Sequence, residues 1–130
     1  MLENSKHIII IGAGIAGLTA ALSLRHFGVR TSIYERSPKI ISAGAGIQLS
    51  PNANRVLSRI GVLKEISSVS IRCHGVKVFD YKSNQQLALF DYMKFKGNDL
   101  FYFCHRADLV GVLYSACQKL EIPIYFNKKV

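Results

Sequence analysis

Gly12, Gly14 and Gly17 stand in the order Gly-x-Gly-x-x-Gly, and the chemistry this spacing serves is the cradling of a pyrophosphate by backbone N–H groups. Gly12 permits a tight strand-to-helix turn, Gly14 lets a pyrophosphate approach where a Cβ would collide, and Gly17 lets the helix pack close to the strand. The helix opening at Ile15 and Ala16 then offers free N–H groups and its positive dipole end to the phosphates. Glu35, at the end of the next strand, can accept hydrogen bonds from both hydroxyls of a ribose, and its charge would repel a 2′-phosphate. The ligand so described is a dinucleotide with an unphosphorylated adenosine ribose. Glycines at this spacing can also be packing devices alone, with Glu35 a solvated strand end. The apolar strand before them, the helix after them and the acid beyond favour the dinucleotide.

The elements that would position these residues follow from the pattern of apolar side chains. Lys6 to Ile11 is a continuous β-branched run of the kind expected for a strand buried on both faces of a parallel sheet. Ile15 to Phe27 turns helical, with Leu18, Ala21, Leu22 and Leu24 on one wide side, and Gly28 stands where a helix C-terminus favours positive φ. Val29 to Tyr34 reads as the second strand. Ser37 to Leu49 reads as a glycine-bearing loop leading to Ser50-Pro51, an N-cap with proline at the first helical position. Ala53, Val56, Leu57 and Ile60 keep helical spacing until Gly61, and a short helical turn is expected at Val62 to Ile66. Gly75 to Tyr81, Gln86 to Tyr92 and Asp99 to Cys104 alternate like strands of a small antiparallel meander, with a turn at Lys82-Ser83-Asn84. Helical periodicity returns over Ala107 to Lys119, and Ile122 to Phe126 forms a last strand.

The 130 residues, 49% apolar and 19% charged, suffice for one packed domain, exclude two, and lie far from the composition of a disordered chain. The formal charge of +9 raises a polyanionic partner, but the basic residues are scattered singly, and the densest cluster is only Lys94-Phe95-Lys96; general nucleic-acid binding is not expected. Ile8 to Leu24 carries no formal charge and imitates a short membrane span, yet three glycines break it and Arg25 ends it, so no membrane span is expected. Cys73, Cys104 and Cys117 form no CxxC pair and are an odd number, which fits small core hydrophobes in a reducing, cytoplasmic setting. The four histidines show no metal-ligand spacing, Ser50 reads as an N-cap rather than a nucleophile, and Phe101 and Phe103 read as core rather than as a substrate pocket.

The sequence resembles the flavoprotein aromatic hydroxylases and related FAD-dependent monooxygenases, including salicylate hydroxylase-like enzymes. Beyond the three glycines, Ala21, Leu24, Gly28 and Glu35 complete the longer fingerprint, Gly44 to Ala53 is similar to the segment this group carries beside the flavin, and His105-Arg106-Ala107-Asp108-Leu109 to its Arg-x-x-Leu element. The resemblance implies an α/β fold, a Rossmann-like βαβ unit with a small antiparallel β-meander crossover, forming an incomplete FAD-binding domain. It implies that Gly12, Gly14, Ile15, Ala16 and Gly17 hold the FAD pyrophosphate, Glu35 the ribose, Arg36 the adenine side, Gly46 the flavin-side segment, Arg106 the phosphate and ribityl region, and Val130 the adenine edge. No side chain is implied as catalytic. NAD(P)H would be the reductant and a small, aromatic molecule the substrate.

The family also carries downstream Asp-Gly and Gly-Asp elements, and neither dipeptide occurs in this sequence, so the resemblance implies the N-terminal part of such an enzyme, inactive alone. Two other readings stay open at this point: an inactive dinucleotide-binding fragment or half of a split protein completed by a C-terminal half, and the NAD-binding domain of a dehydrogenase.

Overall fold

The computed structural model describes residues 7–40, 44–94 and 100–130. Strand β1 (His7–Ile11) leads through the glycine turn into helix α1 (Ile15–His26) and strand β2 (Arg30–Tyr34). Then come β3 (Gly46–Leu49), α2 (Pro51–Arg59), α3 (Leu63–Ser68) and β4 (Ile71–Cys73). Strands β5 (Gly75–Phe79) and β6 (Gln86–Asp91) precede β7 (Phe101–His105), α4 (Arg106–Lys119) and β8 (Ile124–Tyr125).

β-Branched runs make β1 and β2 extended, and the two pair in parallel with Ile10 opposite Ile33; β8 adds to the other edge of β2, with Ile33 opposite Ile124. The sheet order is therefore β1-β2-β8. Helix α1 returns the chain between two parallel strands and places Leu18, Ala21 and Leu22 against Ile33 in the core. It stops at Gly28, which takes φ 75° while Val29 N–H donates to the Leu24 carbonyl at 2.9 Å. Helix α4 lies along α1 and contributes Leu109, Val110, Leu113 and Cys117, whose thiol donates to the Leu18 carbonyl at 3.8 Å.

A second sheet, β3-β7-β4, is antiparallel, and it places Gly46 opposite His105 directly before α4 begins. Buried Asn54 of α2 donates its side-chain N–H to the Leu100 carbonyl, tying α2 to the entry of β7. The turn between β5 and β6 is built on Asp80, whose Oδ1 accepts the N–H groups of Lys82 and Ser83 at 3.1 and 2.7 Å.

The α/β organisation and the parallel βαβ unit follow the sequence reading, while four local expectations are corrected. The meander is a two-stranded β5–β6 hairpin, because β7 pairs with β3 and β4 instead of with β6. The segment read as one loop up to Leu49 contains β3, whose ladder to β7 lies more than fifty residues away and leaves no local signal. Ser50 does stand at the N-cap of α2 with Pro51 at the first helical position, but its side chain makes no capping hydrogen bond. Strand β1 is not buried on both faces: Ile9 and Ile11 are 56% and 59% exposed, since β1 is an edge of the sheet and only the α1 side is covered among the described residues. Lys6, residues 41–43, Phe95-Lys96 and Asp99 lie outside the described residues.

Candidate functional site

The turn after β1 and the segment after β2 meet at the C-terminal edge of the parallel sheet. Gly12 takes φ 97°, a left-handed conformation that suits glycine, and its N–H donates to the Tyr34 carbonyl at 2.8 Å. A Cβ on Gly17 would overlap the Gly12 carbonyl oxygen and come within 3.3 Å of Ile10 Cγ2, so the third glycine is what lets α1 sit against the turn. Around the Cβ position of Gly14 nothing stands within 4 Å, so the backbone there is open to a ligand. Gly14 is the N-cap of α1, and helix geometry leaves the N–H groups of Ile15, Ala16 and Gly17 without carbonyls one turn earlier.

Glu35 joins these pieces. Its Oε2 accepts the Ala13 N–H at 2.7 Å and its Oε1 accepts the Ser37 N–H at 2.8 Å. These bonds, that from Ala13 first, hold the carboxyl below its ordinary value, so it is a carboxylate at neutral pH. Its backbone is held as well: its N–H donates to the Tyr125 carbonyl at 2.9 Å, and its carbonyl accepts the Lys128 N–H at 2.9 Å.

Arg106 begins α4 on the facing side, and its N–H donates to the Ala45 carbonyl at 3.2 Å. A Cβ on Gly44 would stand 2.7 Å from Arg106 Cδ and 2.8 Å from Arg106 Cβ, so glycine at position 44 makes room for the arginine stem. The β3–β7 ladder thus brings the Gly44–Gly46 segment and the Arg106 element together.

A cavity of about 300 Å³ lies between these parts, lined by Gly12, Ala13, Gly14, Glu35, Arg36, Ser37, Lys39, Ile40, Arg106 and Val110. Three cations, an acceptor carboxylate and an open glycine backbone face one space, which is the equipment for an anionic ligand carrying hydroxyls. A larger groove of about 540 Å³ between the α2–α3 turn and α4 is mostly apolar and holds none of this equipment, so size does not locate the chemistry.

Of the residues singled out by sequence, Gly12, Gly14, Glu35, Arg36 and Arg106 line the cavity. Ile15, Ala16 and Gly17 form the first turn of α1 beside it. Gly46 is bound into β3 and Val130 is 86% exposed, and neither lines the cavity. Ala13, Ser37, Lys39, Ile40 and Val110 were not foreseen as site residues, although Lys39, four residues beyond Glu35, offered a charge as a signal. From the end of the chain it is Tyr125, Asn127 and Lys128, and not Val130, that hydrogen-bond the 35–37 segment, Asn127 N–H donating to the Ser37 carbonyl at 3.2 Å.

Residues 5–130 match the family model described as FAD binding domain. The chain belongs to that family. As an FAD binding domain it is 36% identical over 118 residues to 3-amino-4-hydroxybenzoate 2-monooxygenase of Streptomyces cremeus, covering 88% of this chain and 30% of that protein. Over 95% of its length it superposes on 2-methyl-3-hydroxypyridine-5-carboxylic acid oxygenase in its tetrameric form with a TM-score of 0.83 and 26% identity, covering 32% of that chain. It also superposes on CtdE in complex with FAD and a substrate, with a TM-score of 0.80 and 28% identity, over 95% of this chain and 30% of that one. The chain therefore spans about 30% of the length of the relatives it matches. The residues present fit FAD: the space at Gly14 is open, the cations stand beside it, and the Glu35 carboxylate has acceptor capacity beyond its two backbone N–H partners. Among the described residues no helix is long and apolar enough to cross a membrane, and all three cysteines are free and buried.

Proposed function

We propose that this chain binds the ADP part of FAD in the cavity between the glycine turn, the 35–40 segment and the start of α4, as the cofactor-binding portion of a flavin-dependent monooxygenase. The observation that carries the reading is the convergence of Gly12, Gly14, Glu35 and Arg106 on one cavity from three separate stretches of chain. The backbone at Gly14 and the N–H groups at the start of α1 would take the pyrophosphate, Glu35 the ribose hydroxyls, and Arg36, Lys39 and Arg106 would balance the phosphate charge.

Bound flavin supplies the redox chemistry, taking electrons from NAD(P)H and passing one atom of O₂ to a small aromatic substrate. The protein's part within these residues is to bind and orient; no acid, base or nucleophile is assigned to them. The substrate class follows that of the relatives, which include 3-hydroxybenzoate 6-hydroxylase 1. A dehydrogenase-type NAD site would leave the packing of Gly44 on Arg106 without a role, and the reducing, cytoplasmic setting belongs to the same proposal.

The test is a fluorescence titration of FAD into the wild type and Gly14→Val. Position 14 has φ −81°, which a side chain tolerates, and space around it, so the variant should fold. A valine there would fill the volume the pyrophosphate needs and should abolish binding. Equal FAD affinity in both proteins would sink the assignment.

A further inference from the structure

Glu35 makes two side-chain hydrogen bonds to backbone N–H groups, and they connect two separate turns. Ala13 belongs to the turn that follows β1 and Ser37 to the turn that follows β2; one carboxylate spans both, at 2.7 and 2.8 Å. Beneath it the Glu35 backbone is fixed between Tyr125 and Lys128, so the side chain works from an anchored base. In the glycine turn Gly12 N–H donates to the Tyr34 carbonyl and the Gly14 carbonyl accepts the Leu18 N–H at 3.0 Å, so the bond to Glu35 is what holds Ala13 between them.

We propose that Glu35 is a positioning residue that shapes the phosphate-binding turn before the cofactor arrives, clamping Ala13 with Oε2 and Ser37 with Oε1. A carboxylate has four lone pairs and the two backbone N–H groups take two of them, so the clamp and a ribose contact can coexist. The inference rests on the reading of this cavity as a pyrophosphate site and adds a role that acts on the phosphates through the turn. A turn already shaped costs less ordering on binding than one that must be fixed by the ligand.

The two roles predict opposite signs with a ligand that has no ribose. If Glu35 served the ribose alone, Glu35→Gln would leave inorganic pyrophosphate affinity unchanged or raise it, because a negative charge beside the cavity is removed. If Glu35 shapes the turn, Glu35→Gln should weaken pyrophosphate by about fivefold to tenfold, since the glutamine amide has one accepting oxygen and presents its NH₂ to one of the two N–H groups. FAD affinity should fall in the same variant, and thermal melts show whether it is folded.

A second measurement needs no variant. In ligand-free wild type, the amide proton shifts of Ala13 and Ser37 should titrate together with one midpoint, below the ordinary glutamate value. The other charged groups there are Arg36 and Lys39 from the same segment, Arg106 from α4 and Lys128 after β8, all of them basic. Weaker pyrophosphate binding by Glu35→Gln and a shared amide titration support the clamp. Unchanged or tighter pyrophosphate binding by the folded variant overturns it, as do amides that titrate apart or not at all. If wild type binds no FAD, the cofactor reading fails while the amide titration still reports on the clamp.

Discussion

Replacing Gly17 by alanine sets two effects of opposite sign against each other. In a helix, alanine in place of glycine by itself stabilises by about 0.5 to 1 kcal/mol through backbone entropy. Here the new Cβ would overlap the carbonyl oxygen of Gly12 and press on Ile10 Cγ2 at 3.3 Å. The main obstacle is backbone, held by the bond from Gly12 N–H to Tyr34, and cannot turn aside as a flexible side chain would. Forcing atoms into packed space costs about 1 to 3 kcal/mol, with the upper end apt when α1 must move off the sheet and loosen Leu18, Ala21 and Leu22. The net expectation is a loss of about 2 kcal/mol, or about 6 °C in Tm for a domain of this size. Gly111→Ala is the control: in exposed mid-α4, with nothing within 4 Å of the new Cβ, it should raise stability by about 0.5 to 1 kcal/mol. Urea and thermal unfolding of the three proteins measure both. A Gly17→Ala protein as stable as wild type would refute the claim that this glycine is what seats α1 against the phosphate turn.

Arg106→Ala should weaken FAD binding in a manner that fades as salt rises, because a cation–phosphate contact is screened over about 10 Å at 0.1 M, and Arg106→Lys should restore only part of the loss; equal affinities across a salt series would place Arg106 outside the site. Burial pushes the Cys117 thiol up to about 11, so at pH 8 only about one molecule in a thousand would carry the thiolate. Cys117, which has no exposed surface, should therefore be labelled by a thiol reagent only on unfolding, whereas rapid native labelling at that position would contradict its place between α1 and α4.

The glycine turn and Glu35 were legible because their signals are local. Three glycines at fixed spacing, an apolar strand before them and an acid after the next strand are all written within Ile8 to Glu35, and the structure assembles them as their chemistry requires. Arg106 was legible only by resemblance, because its approach depends on the β3–β7 ladder, and Gln48 opposite Phe103 is a pairing no window of sequence reveals. For the same reason β7 looked like a third strand of the meander: its alternation is that of any half-buried strand and does not name its neighbour. Strand β1 misled differently. Four consecutive isoleucines describe a strand meant for cover on both sides, while the described residues supply it on one. The clamp by Glu35 was invisible, since the same carboxylate reads as a ribose acceptor whether or not it also holds Ala13.

The pairing of β2 with β8 has a consequence for how the domain comes into being. Ile33 meets Ile124 about ninety positions later, so closing that ladder carries the entropy of a long loop and cannot happen until the segment through Tyr125 has been synthesised. Until then the nascent βαβ unit has only β1 beside β2, and Leu18, Leu22 and Ile33 await α4. The late segment also supplies the Tyr125 carbonyl and the Lys128 N–H that fix Glu35, so competence to take up a ligand arrives with the last strand rather than with the first motif. Slow, topology-limited maturation with a period of dependence on chaperones is the expected life history of such a chain.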